Sequence, residues 1–316
     1  MPSTRALRIA AGYAAIASAL PYLALKMVWL GGGTLGVADT ALMRDTSMIA
    51  LNAITAGMDL AGIGLALAFT HRWGLRIPAW LLLPPIWVAT GLLARFIVAV
   101  PIAVVVGWLM PATVPRGTGG PVVPWVYALV YTEFAGMGLG LFVAFFFYAR
   151  VRWPDLLDAP ADAARQTPTR DLQVALANTG TLIAALLGVL LMAWAFGATF
   201  GLDAAASARR TIVGSLINGI DAVLMIGGAV GIQLMVRGLR AGSPQRVPVV
   251  LTWIGAGSMF GWGLWPTANV LGQTALLRGA DGMALSNLLG LVRLIAGLVL
   301  GLLMLFVLAE RRVIDR

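Results

Sequence analysis

Residues 285–309 read LSNLLGLVRLIAGLVLGLLMLFVLA, an apolar run carrying a single charge, Arg293. A helix needs about 20 apolar residues to cross a bilayer core, so this stretch predicts a membrane span. Seven further runs of the same kind lie near 7–30, 48–70, 79–100, 125–149, 173–197, 211–236 and 248–269. The other spanning design, a β-barrel, needs short strands of alternating polarity. These runs are continuously apolar and rich in Leu, Ala and Gly, so the chain is expected to be an all-α membrane protein with eight transmembrane helices.

Composition points the same way. Of 316 residues, 60% are hydrophobic and 11% charged, and mean hydropathy is +0.90. A soluble domain carries roughly 25% charged residues, so that class is excluded. A disulfide scaffold is excluded because the chain has no Cys, and disorder because its signature is low hydrophobicity. The first run follows Arg5 and Arg8 as a signal peptide would. It is long, however, contains Lys26 and has no small-residue cleavage site, so it reads as a retained first span.

The third apolar run continues from Ala79 to Met110, too long for one upright helix. Pro101 predicts a break, leaving Ile102–Met110 as an interfacial or re-entrant piece. With eight spans the two ends share a side. One set of connecting segments then holds 14 positive residues and the other five, Arg44, Arg116, Arg209, Arg210 and Arg278. The positive-inside rule places both termini in the cytoplasm, with anionic inner-leaflet lipid as the natural counter-charge to the formal +9.

The span at 285–309 also has an earlier likeness. Ala296, Gly297, Leu300, Gly301, Leu302 and Phe306 match Ala135, Gly136, Leu139, Gly140, Leu141 and Phe145. Met27, Trp29, Gly32, Thr34 and Gly36 match Met192, Trp194, Gly197, Thr199 and Gly201, and Asn52 matches Asn218. These pairs predict two tandem four-span repeats in one orientation, residues 1–150 and 173–316, joined by a cytoplasmic linker at 151–172. The match of the third span to the seventh is weak.

Six ionisable residues fall within the spans: Lys26, Asp59, Arg95, Glu133, Asp221 and Arg293. A charge in the bilayer interior marks a functional site by default. Lys26 lies near a span end and is expected to snorkel to the interface, as is Arg95 if its span ends near Val100. Asn52, Thr55 and Asp59 lie on one face of the second span, and Ser215, Asn218 and Asp221 on one face of the sixth. These stripes are expected to meet across the bundle interior. Two readings stay open there. Arg95, Glu133 and Arg293 pair internally while Asn residues bridge helices, or the stripes line an aqueous, proton-linked solute site.

Other signals are ordinary. Gly136–Gly140, Gly227–Gly231, Gly257–Gly261 and Gly297–Gly301 are GxxxG pairs that permit close helix approach. Pro21, Pro84 and Pro85 predict kinks, and Trp80, Trp125 and Trp253 read as interfacial anchors. A single His, His71, and the lack of Cys leave haem, His/Cys zinc sites and a Cys nucleophile unsupported. There is no GxxxxGK[ST] loop, no cofactor or metal is expected, and the dispersed Arg residues form no nucleic-acid patch.

The M-x-W-x-x-G-x-T-[LF]-G pattern at 27–36 and 192–201, with 21 Arg against one Lys, resembles uncharacterised multi-span membrane proteins of high-GC Gram-positive bacteria. That resemblance implies a bacterial plasma membrane and carries no activity. Three functions fit: a secondary permease for a small solute, motivated by the repeat and the polar stripes; a non-catalytic anchoring, assembly or sensory subunit; and an intramembrane enzyme acting on a lipid-linked substrate.

Overall fold

The computed structural model describes residues 4–109, 121–154, 168–202, 207–208, 210–238, 245–272 and 284–314. Among them are eight helices long and apolar enough to cross a membrane, and the chain is a polytopic membrane protein. These are α1 (Thr4–Leu30), α2 (Thr46–Thr70), α3 (Ala79–Leu109), α4 (Pro124–Arg152), α5 (Arg170–Ala195), α6 (Ile212–Arg237), α7 (Arg246–Leu271) and α8 (Ala284–Ile314). In lipid every backbone donor and acceptor must be satisfied within the segment, which makes long apolar runs helical. Asp45 starts α2 by accepting from the Ser47 amide, and Thr211 starts α6 by accepting from Gly214. Most of the expected linker (155–167), and the loop residues Arg116, Arg209 and Arg278, lie outside the described residues.

The third span corrects one expectation. Pro101 does not end it: α3 continues to Leu109 with Pro84, Pro85 and Pro101 all inside. Proline removes one hydrogen bond, but in lipid an unwound segment would expose several more polar groups, so the helix persists. At 1.5 Å per residue its 31 residues span about 46 Å, well beyond the roughly 30 Å bilayer core.

Several helix ends meet at one face of the bundle. Gly12 of α1 packs on Thr70 at the end of α2. Tyr148 of α4 donates to the Gly74 carbonyl just beyond α2 (2.8 Å), and Thr169 before α5 donates to Glu310 near the end of α8 (2.8 Å). At the opposite face, the two copies of the Met-x-Trp pattern form the same local turn. The Trp29 indole donates to the Leu35 carbonyl (2.8 Å) and the Trp194 indole to Phe200 (3.0 Å). Gly32 and Gly36, like Gly197 and Gly201, take positive φ, a conformation that glycine enters without a Cβ penalty. That requirement explains both glycines of the pattern.

Within the first half α1 packs on α2 and α4, and α3 on α4; in the second, α5 packs on α6 and α8, and α7 on α6 and α8. The halves meet where α3 crosses α7 and α6. At the centre of that crossing Gly91 lies against the backbone of Gly257, so no side chain fits on Gly91. Around it the Trp87 indole donates to the Trp253 carbonyl (3.1 Å), and the Trp253 indole donates to Thr90 Oγ1 (2.9 Å). Trp253 also stacks on Phe145 of α4. It is therefore part of the contact between halves and not an interfacial anchor, whereas Trp80 is 72% exposed.

Candidate functional site

The six intramembrane ionisable residues gather into two clusters. The first belongs to α1, α2 and α4. The GxxxG pair of α4 sets its geometry, because Gly136 packs on Ser18 and Gly140 on Ala15. That close approach brings Glu133 to the level of Tyr22 and Lys26 on α1. Lys26 Nζ donates to Asp59 Oδ2 at 2.6 Å, and the same ammonium lies 4.2 Å from the centre of the Tyr22 ring, a favourable cation–π position. Lys26 is 1% exposed and Asp59 6%. The expected snorkelling of Lys26 is thus corrected. A carboxylate on the neighbouring helix offers a nearer counter-charge than the interface does.

Glu133 sits beside this pair, within reach of both charges. It is 1% exposed, and neither of its carboxylate oxygens has a hydrogen-bond partner in the protein. Three groups that can carry charge therefore share a buried cluster with one carboxylate in excess. A buried carboxylate without a donor costs several kcal/mol.

The second cluster joins α3, α6 and α8. Arg293 Nη2 lies 3.0 Å and Arg95 Nη1 3.4 Å from one oxygen, Asp221 Oδ2. Asp221 is 2% exposed. The Arg95 guanidinium also stacks over the Trp262 ring of α7. Because α3 runs on past Val100, Arg95 is deep in its helix and pairs instead of snorkelling. Arg95 Nε, Arg293 Nε and Asp221 Oδ1 have no hydrogen-bond partner in the protein. This cluster carries one cation in excess.

The two polar stripes do not come together. Asp59 lies with Lys26 in the first half, and Asp221 with the arginines at the contact between halves. The reason is the contact itself: α3 meets α6 and α7, while α2 packs on α1 and α4. Asn52 and Thr55 are half-buried, and the Thr55 hydroxyl donates to the Asn52 carbonyl of its own helix. Asn218 and Ser215 are half-buried on α6. Of the expected charge-pair residues, Arg95 and Arg293 share Asp221, and Glu133 bonds to neither.

Ser215 borders a laterally open groove of about 560 Å³ between α3, α5 and α6, otherwise lined by apolar side chains. Sequence reasoning missed this groove and the α3–α7 crossing. A signal for the crossing was present: WVATG at 87–91 and WIGAG at 253–257 stand at nearly the offset of the other matched pairs. Among the described residues no cluster of three or more His, Cys, Asp or Glu could hold a metal. No family model, curated protein or solved structure matches the chain.

Proposed function

We propose that the chain is a proton-linked secondary permease for a small solute, built as two tandem four-span halves in one orientation. Both termini lie in the cytoplasm of a bacterial plasma membrane in this reading. The charge asymmetry of the connecting segments supports the orientation. The twin Trp29 and Trp194 turns support the repeat.

One observation carries the functional reading: Glu133 is buried without a donor beside an intact Lys26–Asp59 pair. A cluster with one more carboxylate than cation has two low-energy arrangements. Lys26 pairs with Asp59 while Glu133 holds the proton, or Lys26 turns to Glu133 while Asp59 holds it. Exchange between the two moves a proton and re-aims a buried cation, which is what a coupled transporter needs.

The test is solute-driven proton movement in proteoliposomes loaded with a pH-sensitive dye, across a broad solute panel. At least one solute should drive proton uptake in the native protein, and Glu133→Gln should abolish coupling while the protein still folds. Absence of solute-dependent flux across the panel, or undiminished flux in Glu133→Gln, overturns the reading. A second reading, a non-catalytic membrane subunit, draws support from Asp59 and Asp221 both being engaged by cations. It expects a stoichiometric partner on purification and no flux.

A further inference from the structure

Four polar side chains form a network on the surface of α5 and α6, apart from both charge clusters. Arg237 Nε donates to Gln233 Oε1 (2.7 Å) and Arg237 Nη2 to Asn178 Oδ1 (2.8 Å). Gln233 Nε2 donates to Thr181 Oγ1 (2.9 Å) and to Asn178 Oδ1 (3.2 Å). Asn178 and Arg237 are exposed, and Thr181 and Gln233 are half-buried. Further along the same two helix faces come Leu182 and Leu186 of α5 and Val230 and Ile226 of α6, exposed apolar side chains suited to acyl chains.

Helix length fixes the depth of the network. At 1.5 Å per residue Asn178 lies about 26 Å from Ala195 at the far end of α5, and Gln233 about 32 Å from Ile212 at the far end of α6. The bilayer core is roughly 30 Å thick. With the far helix ends at one boundary of that core, the network lies at the other, where acyl chains give way to head groups. This is the end of the bundle at which α1 begins and α8 ends.

We propose that this network binds the phosphodiester head group of an anionic phospholipid. The hydrogen-bond inventory decides the sign of the ligand. Asn178 Oδ1, Gln233 Oε1 and Thr181 Oγ1 each accept within the network, whereas among the described residues nothing accepts from Asn178 Nδ2 or Arg237 Nη1. What faces the lipid is a set of donors around a guanidinium. Both partners of Arg237 are neutral amides, so no carboxylate among the described residues balances its charge. Phosphate oxygens supply the acceptors and the charge together. A head group with its own cation, as in phosphatidylcholine, would set a second positive charge beside Arg237, so a lipid of net negative charge is favoured. The site belongs to the second half alone. At the offsets of the matched Trp and Asn pairs, its four residues correspond to Tyr13, Ile16, Leu67 and His71, where the Tyr13 and His71 rings meet edge-on instead.

The experiment is native mass spectrometry of the full chain in detergent, titrated with phosphatidylglycerol, with phosphatidylcholine and glycerol phosphate as competitors. One phosphatidylglycerol per chain should bind ahead of all others, and phosphatidylcholine should displace it at least about tenfold less well, since it adds a cation beside the guanidinium. Arg237→Gln should lower affinity about tenfold or more, the scale of a hydrogen bond to a charged group, and Arg237→Lys should recover part of it. Asn178→Leu should lower it roughly threefold or more, the scale of one neutral hydrogen bond. Arg72→Gln, an exposed arginine just beyond α2 at the same end of the bundle, should leave it unchanged.

Equal displacement by phosphatidylcholine overturns the proposal. So does an equal loss in Arg72→Gln, which would reduce the effect to general attraction between basic helix ends and anionic lipid. Displacement by glycerol phosphate as effective as by the lipid also overturns it and assigns the donors to a soluble phosphate. Undiminished binding in both Arg237→Gln and Asn178→Leu, two exposed positions whose replacement leaves the core untouched, overturns it as well.

Discussion

The two clusters each hold three charged groups, cations and carboxylates in opposite proportions. Lys26, Asp59 and Glu133 give one cation and two carboxylates; Arg95, Arg293 and Asp221 give two cations and one carboxylate. The first cluster lies wholly within the first four helices, whereas the second takes Arg95 from α3 and Asp221 and Arg293 from α6 and α8. A turn such as that of Trp29 and Leu35 recurs at Trp194 and Phe200, but the charges do not recur. At the offset that matches Asn52 to Asn218, Asp221 corresponds to Thr55, whose hydroxyl is satisfied by its own helix. The matched segments share a local turn, and the buried charges lie where they differ.

The sharpest way to break that comparison is to remove the central carboxylate of each cluster. Asp221→Asn leaves two guanidinium groups facing each other without a counter-charge, and breaking a buried pair costs about 3–5 kcal/mol. The expected result is the largest fall in thermal midpoint of any single substitution here, measured in nanodiscs. Adding Arg293→Gln should recover part of the loss by removing the stranded charge. Equal stability of Asp221→Asn and the native protein would show that Asp221 is not the shared counter-ion.

Asp59→Asn should cost less, because Glu133 stands ready as a second carboxylate for Lys26. The expected loss is about 1–3 kcal/mol, the scale of one charged hydrogen bond. The double variant Asp59→Asn, Glu133→Gln should lose much more than the sum of its parts, since Lys26 then has no partner. Strict additivity in this cycle would mean that Glu133 does not substitute for Asp59.

How much of this was legible in the sequence varies with the physical origin of each feature. The eight spans were readable, because a run such as 285–309 has to be helical in lipid whatever packs against it. The end of α3 was not, since Pro101 is a breaker in water and a tolerated helix residue in a membrane. All six intramembrane charges were identifiable from their positions, but Lys26 and Arg95 read as snorkelling to the interface when in fact each pairs within the bundle. Their partners were not, because Lys26 finds Asp59 only through the close approach of α1 to α2 and α4, and that packing is tertiary. Trp253 was misplaced for the same reason: its ring belongs to a crossing that only the WVATG and WIGAG segments hinted at.

The mildest test concerns what the halves share. The Trp29 and Trp194 indoles each hold one loop carbonyl, at 2.8 and 3.0 Å. Replacing either Trp by Phe keeps most of the ring area and removes one neutral hydrogen bond, worth about 1 kcal/mol. If the two turns do the same work, Trp29→Phe and Trp194→Phe should lower the thermal midpoint by similar small amounts. The double variant should be additive, because the turns belong to separate halves. A large loss at Trp194 alone would mean that its indole is held for packing in the second-half core, where it is 8% exposed, and that the likeness of the turns has diverged in function.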